Sequence, residues 1–273
     1  REEFQKQYDT FYPQNMLNLL ELSGDLKDFD FIGVDFYSHD KKYEINEIQG
    51  ISHLSPYVGK RVTNLTGVVL AERGKVGPYG NYKEIYIQNP NFDDDERSSE
   101  GIKIFSENSF SVKRGDFILV KEGVVVEDKN NPVQYEEYWD GNLSRTQINT
   151  ESKNIVILSS GNPLPKAILM GKNGRKIPED IVCNDAVSGN LNHFDTFFDP
   201  EEDAIDFYES LEGMFVEVRE ALVVGPYNEY DELYVVPDRG ESVKTKTVRG
   251  GALLTGYDNH NPTIIKIIKL SGD

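Results

Sequence analysis

The chain has 273 residues, with 29 Lys and Arg against 47 Asp and Glu, so its formal net charge is −18. Such an acidic chain lacks the clustered basic residues that neutralise phosphates, which argues against a broad duplex-DNA grip. The same charge argues against lying on an anionic membrane surface. No window approaches ~20 consecutive apolar residues, so we expect no membrane insertion. A single cysteine, Cys183, excludes internal disulfides and thiolate-rich zinc sites.

The length favours two domains, because domains cluster near ~100–150 residues. The 15 Tyr and 14 Phe favour β structure, since aromatic side chains suit a half-buried pleated surface. Residues 1–42 differ from the rest and receive no domain assignment. The chain begins at Arg1 without a signal-like stretch, so we interpret it as a mature product or a piece of something longer.

From Tyr43 onward the pattern predicts short strands separated by turn residues, typical of a small barrel or sandwich. The first strand is expected to end at Gly74, and the fourth to be interrupted at Glu122-Gly123. The predicted strands cover residues 62–70, 84–88, 102–105, 117–126 and 155–158.

An internal repeat divides this region. GPYGNYKEIYI at 77–87 and GPYNEYDELYV at 225–235 share six of eleven positions, and a Gly-x-x-Val precedes each copy, at 59–62 and 213–216. We interpret the repeat as two homologous β modules that meet near residues 161–163. One large β domain with a recurrent turn is the alternative. In the second half, residues 203–213 predict a short helix with Ile205, Tyr208 and Leu211 on one face.

Several segments resemble the OB-fold-like modules of large secreted bacterial nucleases of the endonuclease/exonuclease/phosphatase family. They include EIQGISHLSP (47–56), IQNP followed by EGI (87–102), RGDFILVKEGVV (114–125), SRTQI (144–148) and the stretch 164–226. The resemblance implies a mostly β chain with two tandem OB-fold-like β-barrels, at 43–161 and 162–273, after the short N-terminal segment. Within that family such modules precede a nuclease domain that uses divalent metal.

The resemblance therefore implies a non-catalytic accessory region of an extracellular or cell-surface bacterial nuclease. Mg²⁺ or Mn²⁺ would serve only the downstream domain, which is an expected partner in the same polypeptide. A structural spacer with calcium-stabilised loops, or an enzyme in its own right, are the alternatives. The four histidines are scattered and no catalytic set stands out; for His53, a hydrogen-bonding role is expected.

Two acidic clusters are candidate calcium sites, because Ca²⁺ takes ~6–8 oxygen ligands from carboxylates and carbonyls. A solvated acidic loop is the alternative for each cluster, and Asp203 and Asp206 could instead favour a helix N-terminus. The candidate ligands are Asp93, Asp94 and Asp95 in the first cluster and Asp199, Glu201 and Asp203 in the second, which also contains Asp206.

Weak binding of single-stranded nucleic acid is the expectation for the first module, because OB-folds stack bases on aromatic side chains beside basic groups. The second copy of the repeat has acidic neighbours and is a poor candidate. Packing of the tyrosines against the barrel is the alternative. The candidate binding residues are Lys75, Tyr79, Tyr82, Lys83 and Tyr86.

Overall fold

The computed structural model describes residues 41–77, 80–129, 143–179, 182–186, 190–191, 196–229, 232–254 and 261–268. Residues 1–40 of the unassigned N-terminal segment lie outside these ranges. The described residues belong to one compact unit. Its helices are α1 (Ile45–Gln49) and α2 (Ala204–Glu209), with short 3-10 turns at Ser152–Asn154 and Asp238–Gly240.

Strands dominate the described chain, which confirms the expectation of a mostly β protein. They are β1 (Arg61–Gly77), β2 (Gly80–Gln88), β3 (Gly101–Ser106), β4 (Phe117–Asp128), β5 (Arg145–Asn149), β6 (Ile155–Ser159), β7 (Ile168–Met170), β8 (Val216–Val218), β9 (Leu222–Val223), β10 (Glu232–Val236) and β11 (Ile265–Ile268). No helix in the described ranges combines the length and apolar character needed to cross a membrane.

The first half is a six-stranded sheet whose pairings close on themselves. Its order is β1-β2-β3-β5-β4-β6, and an additional pairing of β1 with β4 joins five strands in a ring. The pair β3–β5 is parallel, and the other pairs are antiparallel. Strand β6 lies outside the ring, against β4.

Strand β1 closes the ring because it pairs first with β4 and then with β2 along its length. Residues Arg61–Val68 pair with β4, and Val68–Gly77 pair with β2, with a register shift between Val69 and Ala71. A bulge of this kind bends a strand and increases its twist. The predicted end at Gly74 is wrong, since Gly74 pairs with Lys83 and the strand continues to Gly77.

The predicted interruption of β4 is also absent, because Gly123 is paired within a continuous strand. A Cβ atom on Gly123 would lie 2.3 Å from the Ile148 side chain. The glycine therefore marks a close approach between strands, which is the other common reason for a glycine inside a strand.

The core of the first half lies inside the ring. Alternate residues of the strands point inward, as expected for a sheet with one buried face, and α1 adds Ile45 and Ile48. The buried apolar side chains of this core are Ile45, Ile48, Val62, Leu65, Val69, Ile85, Ile87, Ile102, Ile104, Val112, Ile118, Val120, Val125 and Ile148.

The second half has a smaller framework. Strands β7 and β8 pair in parallel, and β9, β10 and β11 form an antiparallel sheet. Its core is Met170, Ile177, Phe207 and Leu211. No ring of strands occurs among the described residues of this half. Of the predicted helix face, Leu211 is buried, whereas Ile205 and Tyr208 are half-buried and the helix buries Ala204 and Phe207 instead.

Each copy of the repeat lies next to a pair of antiparallel strands. The first Gly-Pro-Tyr begins at the end of β1, before β2, and the second lies between β9 and β10, which are also antiparallel partners. The glycines that open the two Gly-x-x-Val segments, Gly59 and Gly213, have left-handed φ angles of 74° and 69°.

We predict that Gly123→Ala destabilises the fold by about 1–3 kcal/mol, because the new methyl group overpacks the site beside Ile148. Urea unfolding monitored by far-UV circular dichroism measures this change. Gly251→Ala is the control, since the nearest atom to a Cβ there, on Thr247, is 3.4 Å away. Equal stability of the two variants would contradict the proposed close packing.

Candidate functional site

A buried histidine joins the two halves of the chain. His53 follows α1, is only 3% exposed, and contacts two carboxylates on one face of α2. Its Nε2 lies 2.6 Å from Asp206 Oδ1, and its Nδ1 lies 3.3 Å from Glu209 Oε2. The ring of Phe198 packs against the imidazole with 5.5 Å between centroids. The expected hydrogen-bonding role of His53 is therefore present, although the sequence did not indicate its partners.

The charge on His53 follows from these contacts. Burial alone lowers the pKa of the imidazole, but the hydrogen bonds to Asp206 and Glu209 outweigh burial and raise the pKa to about 9. The imidazolium donates from both nitrogens to the carboxylates. Because the fold favours the protonated form, the stabilisation of the folded state by His53 is complete below the ordinary histidine pKa of about 6.5. It is lost as the pH rises through about 9.

Glu212 makes a second connection between the halves. Its Oε1 accepts hydrogen bonds from Thr146 N at 3.0 Å and from Gln49 Nε2 at 3.3 Å. Its carbonyl oxygen accepts from Ser99 Oγ at 2.5 Å. Burial, followed by the charge of Glu209, raises the pKa of the Glu212 carboxyl to about 8. Glu212 is thus protonated at neutral pH.

The chain directly after Glu212 lies against the first sheet. A Cβ atom on Gly101 would be 2.3 Å from the carbonyl carbon of Gly213, so the two backbones are in close contact. Phe215 N donates to Gln88 Oε1 at 2.7 Å. We use the term polar junction for His53, Gln49, Gln88, Ser99 and Thr146 of the first half with Asp206, Glu209, Glu212 and Phe215 of the second.

Three aspartates form a cluster beside the polar junction. Asp199, Asp203 and Asp206 each offer one carboxylate oxygen, and these oxygens lie within 4.8 Å of one another. Asp206 Oδ2 accepts from Asp199 N at 2.8 Å, and Asp203 Oδ2 accepts from Asn184 N at 3.1 Å. Burial and the neighbouring carboxylates raise the pKa of Asp199 to about 6, and burial raises the pKa of Asp203. We call these three residues the aspartate cluster.

The structure brings together two of the three predicted ligands in this region, Asp199 and Asp203. The third, Glu201, is exposed and lies elsewhere, at the wall of a cleft that also includes Arg175 and Phe207. Asp206 completes the cluster; in the sequence it belongs to the same acidic stretch, and a position near a helix N-terminus was its alternative role.

The other predicted acidic loop has a different character. Asp95 pairs with Arg97, and this hydrogen bond lowers the pKa of the Asp95 carboxyl. Asp93 accepts from Asn46 Nδ2 at 2.5 Å, and Asp94 is exposed. Among the residues that the structure describes, none of these three belongs to a set of closely spaced potential metal ligands.

The predicted nucleic-acid residues fall on two sides of β2. Tyr82 and Tyr86 share one face, and Lys83 points to the opposite side, where it pairs with Glu72. The Tyr82 ring stacks on Phe105 with centroids 6.2 Å apart, and Tyr86 Oη accepts from Arg145 at 3.4 Å. Tyr79 and the side chain of Lys75 lie outside the described residues.

Sequence reasoning missed the residues of β3 and β5 that complete this face. Lys103 pairs in register with Tyr86 and with Gln147 across the neighbouring strands. Its side chain is 5% exposed, and its Nζ lies 2.8 Å from Asp128 and 3.2 Å from Glu84. The period-two spacing of Lys103 and Phe105 could have indicated their position. We call Tyr82, Tyr86, Lys103, Phe105 and Arg145 the tyrosine face.

Comparison with known proteins identifies one related region. Residues 168–271 match a family model described as "Domain of unknown function (DUF8508)", which covers much of the second half. No curated protein sequence matches the chain.

We predict that Glu212→Gln removes a pH dependence of stability. The folded state keeps Glu212 protonated to about pH 8, whereas the unfolded chain releases this proton near pH 4.5. The free energy of unfolding of the native protein therefore falls with rising pH between these values, by on the order of 1 kcal/mol per pH unit from this group. Glutamine retains the oxygen that accepts from Thr146 and Gln49 but cannot ionise.

Urea unfolding at about pH 5.5 and about pH 7.5 measures the difference between the native protein and this variant. The variant should gain stability relative to the native protein at the higher pH. Glu229→Gln removes an exposed carboxylate and should leave the native pH profile unchanged. A Glu212→Gln variant with the native profile would contradict a buried protonated carboxyl.

Proposed function

We propose that this chain is a non-catalytic accessory region of an extracellular bacterial nuclease, in which residues 43–161 position single-stranded nucleic acid for a metal-dependent phosphodiesterase domain. The observation that carries this proposal is the closed strand order β1-β2-β3-β5-β4-β1. Five strands in a Greek-key ring are the framework of an OB-fold, which binds oligonucleotides on its strand 2–3 face. The motif resemblance from residue 47 onward supports the same assignment.

The tyrosine face lies on β2, β3 and β5, and we assign it to the corresponding surface because its chemistry is suitable. Tyr82 and Phe105 provide stacked rings, and Tyr86 lies beside two cationic side chains, Lys103 and Arg145. Stacking on aromatic side chains tolerates any base, because every base has a π face. Carboxylates compensate part of the positive charge, so the proposed binding is weak and non-specific in sequence.

Residues 162–273 are, in the same proposal, a second OB-fold-like module. The support is the repeat, whose two copies lie beside antiparallel strand pairs and follow left-handed glycines. Acidic residues occur in the second copy, where Tyr234 Oη donates to Glu232 at 3.1 Å. We therefore assign nucleic-acid positioning to the first module and interdomain packing to the second.

A structural spacer is the second candidate function, and the polar junction favours it. Hydrogen bonds from Gln49, Ser99 and Thr146 to Glu212 fix one half of the chain against the other. A rigid unit of this kind would hold a neighbouring domain at a set distance without binding nucleic acid itself.

Fluorescence anisotropy with a labelled single-stranded oligonucleotide distinguishes these candidates. We expect affinity that falls as salt increases from about 50 to about 200 mM, because phosphate contacts release counterions. Tyr86→Ala should weaken binding about tenfold, within the range of one lost base stack. Tyr234→Ala, at the equivalent position of the repeat, should leave binding unchanged.

The remaining outcomes each have a clear meaning. Absence of binding, together with docking onto a nuclease domain, would support the spacer and refute the positioning role. Equal losses in the two tyrosine variants would refute the tyrosine face. Cleavage of the oligonucleotide by this chain alone with Mg²⁺ or Mn²⁺ would refute a non-catalytic region.

A further inference from the structure

The aspartate cluster contains oxygens that no described residue satisfies. Asp203 is completely buried, and no donor among the described residues reaches its Oδ1. The same holds for Oδ1 of Asp199. Burying a carboxylate oxygen without a partner costs about 1–3 kcal/mol or more, so native proteins seldom leave one without a ligand. These atoms point to a missing positive group rather than to a solvated acidic loop.

Charge compensation at the cluster is incomplete. His53 pairs with Asp206, but within the described ranges no lysine or arginine forms an ion pair with Asp199 or Asp203. Asp185 adds a further carboxylate near Asp203. The 93–95 loop differs, because Asp93 and Asp94 are exposed and Asp95 pairs with Arg97. Like charges this close repel one another strongly unless a cation lies between them or one carboxyl takes up a proton.

The spacing of the oxygens suits a calcium ion. Calcium–oxygen bonds are about 2.3–2.6 Å long, so two ligands on opposite sides of the ion are up to about 5 Å apart. The ligand oxygens of Asp199, Asp203 and Asp206 are all within 4.8 Å of one another, which fits one shared ion. An all-carboxylate set selects a hard cation, and the flexible geometry of calcium accepts carbonyl and water oxygens at its remaining positions.

We propose that Asp199, Asp203 and Asp206 form a calcium site, and that the bound ion fastens the segment before α2 to the polar junction. Asp206 links the two features, since one of its oxygens contacts His53 and the other accepts from Asp199 N. The ion stabilises the second half, whose apolar core is small. This site is independent of the tyrosine face and of any nucleic acid.

Titration of the chelator-stripped full chain with CaCl₂ tests the proposal by calorimetry and thermal melting. We expect saturable binding of one ion and a rise in Tm of roughly 5–10 °C at about 100-fold excess over Kd. Asp203→Asn should abolish both effects. It should also leave the calcium-free Tm equal or higher, because it removes a buried negative charge while its oxygen still accepts from Asn184 N.

Asp94→Asn in the other acidic loop is the control, and its calcium response should equal that of the native protein. A native chain with neither heat nor a Tm shift would overturn the proposal, as would an undiminished response in Asp203→Asn. Zn²⁺ binding that depends on Cys183 with no response to Ca²⁺ would also overturn it. The two proposals are tested separately: Tyr86→Ala should lose oligonucleotide binding and keep the native calcium response.

Discussion

A protonated imidazole between two carboxylates determines where the second half of the chain lies. Among the described residues, the buried apolar cluster around α2 has four members, whereas that of the first half has fourteen. Phe207 buries the apolar side of α2, and the contacts of His53 with Asp206 and Glu209 hold its polar side against the first half. Removing one partner of a buried ion pair costs about 3–5 kcal/mol, since the other charge remains buried. The polar junction therefore favours one arrangement of the two halves as well as stabilising the fold.

The proposed functional surfaces meet this junction from different directions. Along β2, Tyr82, Tyr86 and Gln88 share one face, and Gln88 accepts from Phe215 N in the second half. The tyrosine face therefore ends where the polar junction begins. On the other side, Asp206 connects His53 to the aspartate cluster. A calcium ion bound there would hold α2 in the position that the junction requires.

Apolar and alternating patterns predicted five of the six strands of the first half, because a buried sheet face imposes them on the sequence. The strand β5 was not predicted. The errors at Gly74 and Gly123 arose because glycine also serves close packing between strands. The cluster of Asp199, Asp203 and Asp206 could be suspected from local spacing, whereas Glu201, from the same stretch, lies apart from it. The pairing of His53 with α2 could not be predicted, since 153 residues separate His53 from Asp206 and local patterns carry no long-range information.

Differential scanning calorimetry of the intact chain at neutral pH tests most directly whether the polar junction unites the two halves. The account predicts one cooperative transition for the described unit, with a calorimetric enthalpy equal to the van't Hoff enthalpy. His53→Gln removes the imidazolium and should divide this transition into two, with the second half melting first. Two independent transitions in the native protein, or a single unchanged transition in His53→Gln, would contradict the central role of the junction.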